Sequence, residues 1–131
     1  MRHLLDADAV IDHLKGFAPT RELIADLIRR GEQLCTCDVV IAEVLAGSHE
    51  DDRPHAEQWL FALEFLPTSP MAAWQAGRWR YDFARQGRQL PTTDCLIAAT
   101  AVEHGAAVVT GNERHYPMRE VALVLLPRER R

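Results

Sequence analysis

The stretch TTDCLIAATAVEHGAAVVTGN, residues 92–112, decides the fold. Its first part, TTDCLIAATAVEHG, is apolar on nearly every turn, which predicts a helix buried on most sides. AAVVTGN follows at once and lacks the alternation of a half-wet strand, so it is too apolar to lie at a sheet edge with one face in water. A buried helix feeding a buried strand belongs to a layered α/β fold with a parallel sheet.

Outward from that unit, short strand-like runs alternate with longer helix-like ones. HLLDA (3–7) reads as the first strand and AVIDHLKG (9–16) as a short helix stopped by Gly16. TRELIADLIRRG (20–31) has Leu23, Ile24, Leu27 and Ile28 at helical spacing, Arg29 and Arg30 in its last turn, and Gly31 as its stop. QLCTC (33–37) is a second strand. DVVIAEVLAG (38–47) is a helix with Asp38 as N-cap and Gly47 at its end. PHAEQWLFALEFL (54–66) opens with a first-turn proline and runs into a short strand around Phe65 to Pro67. SPMAAWQAGRWRYDFARQG (69–87) is a helix capped by Ser69 and stopped by Gly87, and VALVLLP (121–127) supplies the last strand.

No repeat, low-complexity tract or Pro/Gly-rich linker divides the 131 residues, so one domain spanning 1–131 is expected, large enough to bury a core without disulfides or metal staples. With 47% apolar and 26% charged residues, the composition is that of a globular chain rather than a disordered one. No apolar run approaches the ~18 residues of a membrane span, and the start of the chain lacks the basic-then-apolar layout of a signal peptide. A cytoplasmic location is expected. Cys35, Cys37 and Cys95 are odd in number, and a C-x-C pair is not the usual zinc-knuckle spacing, so all three are expected to be small buried apolar residues. The net charge of −4 argues against a generic nucleic-acid coat. Of 15 basic residues, however, Lys15 is the only lysine, and arginine suits bidentate phosphate contacts.

Acidic residues fall where a core should be. Asp6 and Asp8 lie at the end of the first strand, on one face by the period of two, or else they cap the helix that follows. The helix neighbours of Glu43, three and four residues away, are Val39, Val40, Ala46 and Gly47. A lone carboxylate on such a face is costly unless it is paired, ligates a metal, or sits at a solvated rim. Asp94 opens the most buried helix, where a carboxylate also suits the helix dipole. Thr110 and Asn112 end the strand AAVVTGN and point to one side. If the first and fourth strands are neighbours, acids from three segments meet outside the strand ends, where parallel sheets place their sites. Clustered carboxylates repel one another, so they need a cation, and oxygen-only ligands select hard divalent ions such as Mg2+ or Mn2+. Phosphodiester hydrolysis is the natural chemistry of such a site.

These residues resemble the PIN-domain ribonucleases, and especially the VapC-type toxins of toxin–antitoxin pairs. LLDADAVIDHLKG is similar to the family's opening strand and helix, VVIAEVLAG to its glutamate-bearing helix, and TTDCLIAATAVEHGAAVVTGNERHY to its closing signature. The resemblance implies a three-layer α/β/α fold around a central, mostly parallel sheet of four to five strands. It implies that Asp6 and Asp94 hold the metal, that Glu43 completes the acidic site, and that Thr110 and Asn112 line its fourth side, with Asp6, Glu43, Asp94 and Asn112 as the catalytic set. It also implies RNA as substrate, a cognate VapB-type antitoxin and a homodimer. Many relatives carry Asp before the aromatic residue of the last motif, where this chain has His115 before Tyr116. Asp8 and Glu113 are the acids available to stand in, and His115 itself is an auxiliary candidate.

Two other readings compete. DADAV also fits the D-x-D-x-V opening of haloacid-dehalogenase-type phosphatases, but Lys15 comes too early to steady a phosphate and Asp51-Asp52 falls in a loop. A non-catalytic module on the same fold is the second, against which the presence of Asp6, Glu43 and Asp94 speaks. Finally, WQAGRWRYDFARQGRQ interleaves Trp74, Trp79, Tyr81 and Phe83 with Arg78, Arg80, Arg85 and Arg88. That mix suits RNA phosphates and bases, or a helix with an aromatic core face and solvated arginines, or a protein partner.

Overall fold

The computed structural model describes residues 1–127. In chain order it contains β1 (Arg2–Leu5), α1 (Ala7–Leu14), α2 (Ala18–Arg29), β2 (Gln33–Cys37), α3 (Asp38–Ala46), α4 (Arg53–Phe61), β3 (Glu64–Leu66), α5 (Pro70–Arg85), α6 (Thr92–Glu103), β4 (Ala106–Thr110), a single 3-10 turn (Glu113–His115) and β5 (Leu123–Leu125). The five strands form one sheet in the order β3-β2-β1-β4-β5, and every neighbouring pair is parallel. Helices flank the sheet in an α/β/α arrangement. α1 packs on α2 and α3, α3 packs on α4, and α5 packs on α6.

The apolar strand read from the sequence takes the position its composition demands. All five residues of β4 are buried, and it lies between β1 and β5. Val108 and Val109 pair with Leu4 and Leu5, and these four side chains are fully buried. The sheet order turns around at this pair: β1 leads by way of helices to β2 on one side, whereas β4 leads to β5 on the other. Connections leave β1 and β4 in opposite directions, which opens a crevice outside their carboxyl ends.

Several boundaries differ from the sequence reading for local reasons. β1 ends at Leu5, and Asp6 is the N-cap of α1, with extended backbone and a side chain that accepts from Ala7 N–H. Asp6 and Asp8 therefore do not share a strand face. Asp8 lies in the first helical turn, which begins two residues earlier than the apolar pattern suggested. α2 likewise starts at Ala18, with Pro19 in its first turn, where a missing N–H costs nothing. Asp38 is the first residue of α3 rather than its cap, a position held by Cys37. β3 spans Glu64–Leu66, and the last strand narrows to Leu123–Leu125. The three cysteines are free and buried as expected. Burial is the main reason that the Cys35 thiol is pushed up to about 12 and those of Cys37 and Cys95 to about 11, which leaves them as inert core groups. Among the described residues no helix is long and apolar enough to cross a membrane.

Candidate metal centre

Asp6, Glu43 and Asp94 converge from α1, α3 and α6, and one carboxylate oxygen of each lies within 4.8 Å of the other two. They line an open cleft of about 330 Å³ at the carboxyl ends of β1 and β4, together with Asp8, Thr93, Asn112 and His115. Asp6 is only 3% exposed and Asp94 7%, whereas Glu43 is half-buried at the cleft wall.

The fold holds each carboxylate by a separate device. The Asp6 cap position fixes its backbone, and Val109 O accepts its N–H at 2.9 Å, continuing the β1–β4 ladder. Its Oδ1 accepts from Ala7 N–H at 2.8 Å, and its Oδ2 accepts from the hydroxyls of Thr110, at 2.7 Å, and Tyr116, at 2.9 Å. Asp8 Oδ2 accepts from Gly111 N–H at 2.8 Å, which ties the first turn of α1 to the end of β4. Asp94 projects from the first turn of α6, and its Oδ2 lies 2.6 Å from His115 Nδ1.

Crowding of like charges shows in the ionisation of the group. Burial, then the charges of Asp94 and Asp6, raises the Glu43 carboxyl above its ordinary range, while the hydroxyl of Thr93 pulls it back. Burial, then Asp6, raises Asp94, opposed by the contact with His115. Tyr116 is pushed far upward, chiefly by burial and then by Asp6 and Asp94, so its hydroxyl remains a donor. Two buried aspartates and a half-buried glutamate, with carboxylate oxygens converging within 4.8 Å, are the donor set of a hard divalent cation. The residues present fit such an ion.

Most of the expected cleft residues are brought together. Asn112 lines the cleft, and its N–H donates to Thr110 Oγ1 at 3.0 Å, so Thr110 serves as a relay between Asn112 and Asp6. His115 faces the cleft, where it is bound to Asp94. Of the two stand-in acids, Asp8 lines the cleft as its fourth carboxylate, whereas Glu113 is exposed outside the lining. Asp51 and Asp52 are exposed in the turn before α4, away from the lining, which removes the acidic pair that a dehalogenase-type site needs. The sequence reading did not single out Thr93 or Tyr116. Adjacency to Asp94 is the only signal for Thr93, and Tyr116 enters the sequence only as the aromatic residue of the closing motif, whose hydroxyl the fold brings to Asp6. A neighbouring cleft of about 360 Å³, lined by Lys15, His49 and His55, shares Ile11 with the acidic one and gathers no comparable set of carboxylates.

The arginines of α5 and of the loop after it divide by their contacts. Arg80 Nε donates to Leu90 O at 3.0 Å and Arg88 donates to Arg114 O at 3.3 Å, so both hold loop carbonyls close in sequence to cleft residues Pro91 and His115. Arg78 lies over the Trp74 ring at 4.9 Å and Arg85 over the Tyr81 ring at 5.5 Å, on the outer face of α5. Trp79 is buried, whereas Trp74 and Tyr81 are more than half exposed. None of the four arginines lines the acidic cleft.

Known proteins share these features. The profile of the PIN domain matches residues 3–122. Ribonuclease VapC19 of Mycobacterium tuberculosis is 33% identical over 115 residues, covering 88% of this chain and 92% of the relative. Ribonuclease VapC10 of the same organism is 29% identical over 117 residues, covering 89% and 87%. Among solved structures, a chain of VapBC2 from Rickettsia felis, bound to a promoter DNA fragment, superposes with a TM-score of 0.82 at 18% identity over 97% of this chain and 100% of that one, a likeness of fold. VapBC-5 from Mycobacterium tuberculosis, a member of the VapBC family of toxin-antitoxin systems, gives 0.67 at 25% identity, covering 95% and 98%. With the profile match running from β1 to just before β5, over an acidic cleft at the turning point of a five-stranded parallel sheet, the chain belongs to the PIN domain family.

Proposed function

We propose that the protein is a metal-dependent endoribonuclease, the toxin of a toxin–antitoxin pair, acting as a single PIN domain over residues 1–131. The observation that carries the reading is the meeting of Asp6, Glu43 and Asp94 within 4.8 Å of one another. In it, these three carboxylates hold Mg2+ or Mn2+. When bound, such an ion makes water more acidic and offsets charge on a phosphoryl group. The protein's own residues do the rest. Asp6, fixed by three donors, supplies a carboxylate of constant orientation, and Glu43, on the open wall, is the acid best placed to take a proton from an incoming water. Asn112 presents an amide to the substrate side of the cleft, and Thr110 keeps it in register.

RNA is the substrate in this reading because relatives 33% and 29% identical are named ribonucleases. An RNA path along α5, with Arg78 and Arg85 at phosphates and Trp74 and Tyr81 as stacking platforms, leads toward the end of the helix that Arg88 ties to the His115 turn. A VapB-type antitoxin is the expected partner, by analogy with the solved VapBC complexes. A homodimer is supported by large apolar side chains left exposed, Phe65 on the edge strand β3 and Phe61 and Met71 on the helices before and after it. The protein works in the cytoplasm, where its RNA is. The test is incubation of purified protein with structured RNAs in magnesium, in manganese and in chelator. Cleavage that requires the ion supports the reading, and cleavage undiminished by chelator rejects it.

A further inference from the structure

Each oxygen of an ionised carboxylate has two lone pairs, about four acceptor sites in all. At Asp6 the protein occupies three of them: Ala7 N–H takes one on Oδ1, and the hydroxyls of Thr110 and Tyr116 take both on Oδ2. Thr110 is fully buried and Tyr116 is 3% exposed, so neither hydroxyl can turn to bulk water instead. One acceptor site is left, on Oδ1. Tyr116 also follows His115 directly, and His115 contacts Asp94, so two adjacent residues of one turn hold the two aspartates.

Resting on the reading of Asp6, Glu43 and Asp94 as a cation site, we propose that Tyr116 is a positioning residue: with Thr110 it donates to Oδ2 of Asp6 and so fixes the orientation in which the Asp6 carboxylate would meet a divalent cation. A phenylalanine at this position fills nearly the same space without the donor. The side chain's packing and its hydroxyl can therefore be separated experimentally. Groups that orient a metal ligand typically cost about 10- to 100-fold in metal affinity when removed.

Calorimetric titration of the metal-free full-length protein with manganese tests the assignment. Wild type is expected to take up manganese, and Tyr116→Phe to bind it at least about 10-fold more weakly while remaining folded by circular dichroism. Thr110→Ser, which keeps a hydroxyl, should bind as wild type does, and Thr110→Val should weaken binding as Tyr116→Phe does. Equal manganese affinity in wild type and Tyr116→Phe overturns the proposal, even if the melting temperature falls, because the ring would then serve packing alone. Should Tyr116→Phe fail to fold, the Thr110 pair decides, and a Thr110→Val protein with wild-type affinity overturns the proposal. No manganese uptake by wild type would remove the cation reading itself, an outcome distinct from loss of the Tyr116 role alone.

Discussion

The cleft at the carboxyl ends of β1 and β4 and the outer face of α5 hold most of the chain's chemically pointed side chains, and they are built in opposite ways. In the cleft the partners are distant in sequence: Asp6 meets Thr110 and Tyr116, Asp8 meets Gly111, and Asp94 meets His115. On α5 they are four residues apart, Trp74 with Arg78 and Tyr81 with Arg85, the spacing at which any helix brings side chains together. The first arrangement exists only when the whole sheet is assembled, and burial then fixes its geometry. The second would form on an isolated helix and stays exposed and adaptable. Fixed geometry suits an ion with a strict ligand set, and adaptable rings and guanidinium groups suit contacts that tolerate many RNA sequences.

The sharpest way to break this comparison is to remove one charge from the cleft. Asp6→Asn and Asp94→Asn should each lower RNA cleavage by roughly 100-fold or more, since even orienting groups around a metal cost about 10- to 100-fold. Their metal-free forms should part company in thermal melts. Asp94→Asn should melt at or above wild type because it removes the cost of burying a charged carboxylate beside Asp6, whereas Asp6→Asn turns one acceptor oxygen into an NH2 donor facing either Ala7 N–H or the Thr110 and Tyr116 hydroxyls and should melt lower. Full cleavage by either variant would sink the metal reading.

A smaller effect follows from the raised carboxyls of Glu43 and Asp94. The folded protein holds these protons more tightly than the unfolded chain, so their contribution to stability is fully present below the ordinary carboxylate range of about 4. It is lost as pH rises through the elevated folded values. Urea melts of metal-free protein across that window should show stability from these groups falling as pH rises, with Glu43→Gln flattening the trend and added magnesium or manganese reversing it. A trend unaltered by Glu43→Gln would mean that burial and its acidic neighbours do not raise the Glu43 carboxyl.

His115→Asp places a further carboxylate beside Asp94. Manganese affinity should rise several-fold and the melting temperature of the metal-free form should fall, both readable in paired titrations and melts; affinity equal to wild type would show that this position does not sense the ion. The smallest effect belongs to α5. Changing Arg78 and Arg85 to Ala should lower the log-log salt slope of RNA binding by up to ~0.7 per lost single-strand phosphate contact with little loss of stability. Changing Arg80 and Arg88 should instead cost stability, because they hold the carbonyls of Leu90 and Arg114. A slope unmoved by Arg78 and Arg85 would assign the outer face of α5 to solvent or to a protein partner.

By itself the sequence determined the class of fold and the identity of the acids. The apolar strand Ala106–Thr110 had to be internal because neither face could meet water, and Glu43 on its apolar helix face had to be paired, to ligate, or to sit at a solvated rim. Periodicity, caps and stops are local properties, and local properties are written in consecutive residues. The tertiary structure alone decided which groups complete the cleft. Nothing near Tyr116 in sequence announces that its hydroxyl reaches Asp6, 110 residues away, or that His115 turns toward Asp94 while Glu113, two residues earlier, faces water. Those placements depend on β1 pairing with β4 in one register and on the turn after β4 folding back over both aspartates. Hydrogen bonds across such separations are selected by the packing of the whole sheet, whose free energy is spread over the core rather than encoded at any one position.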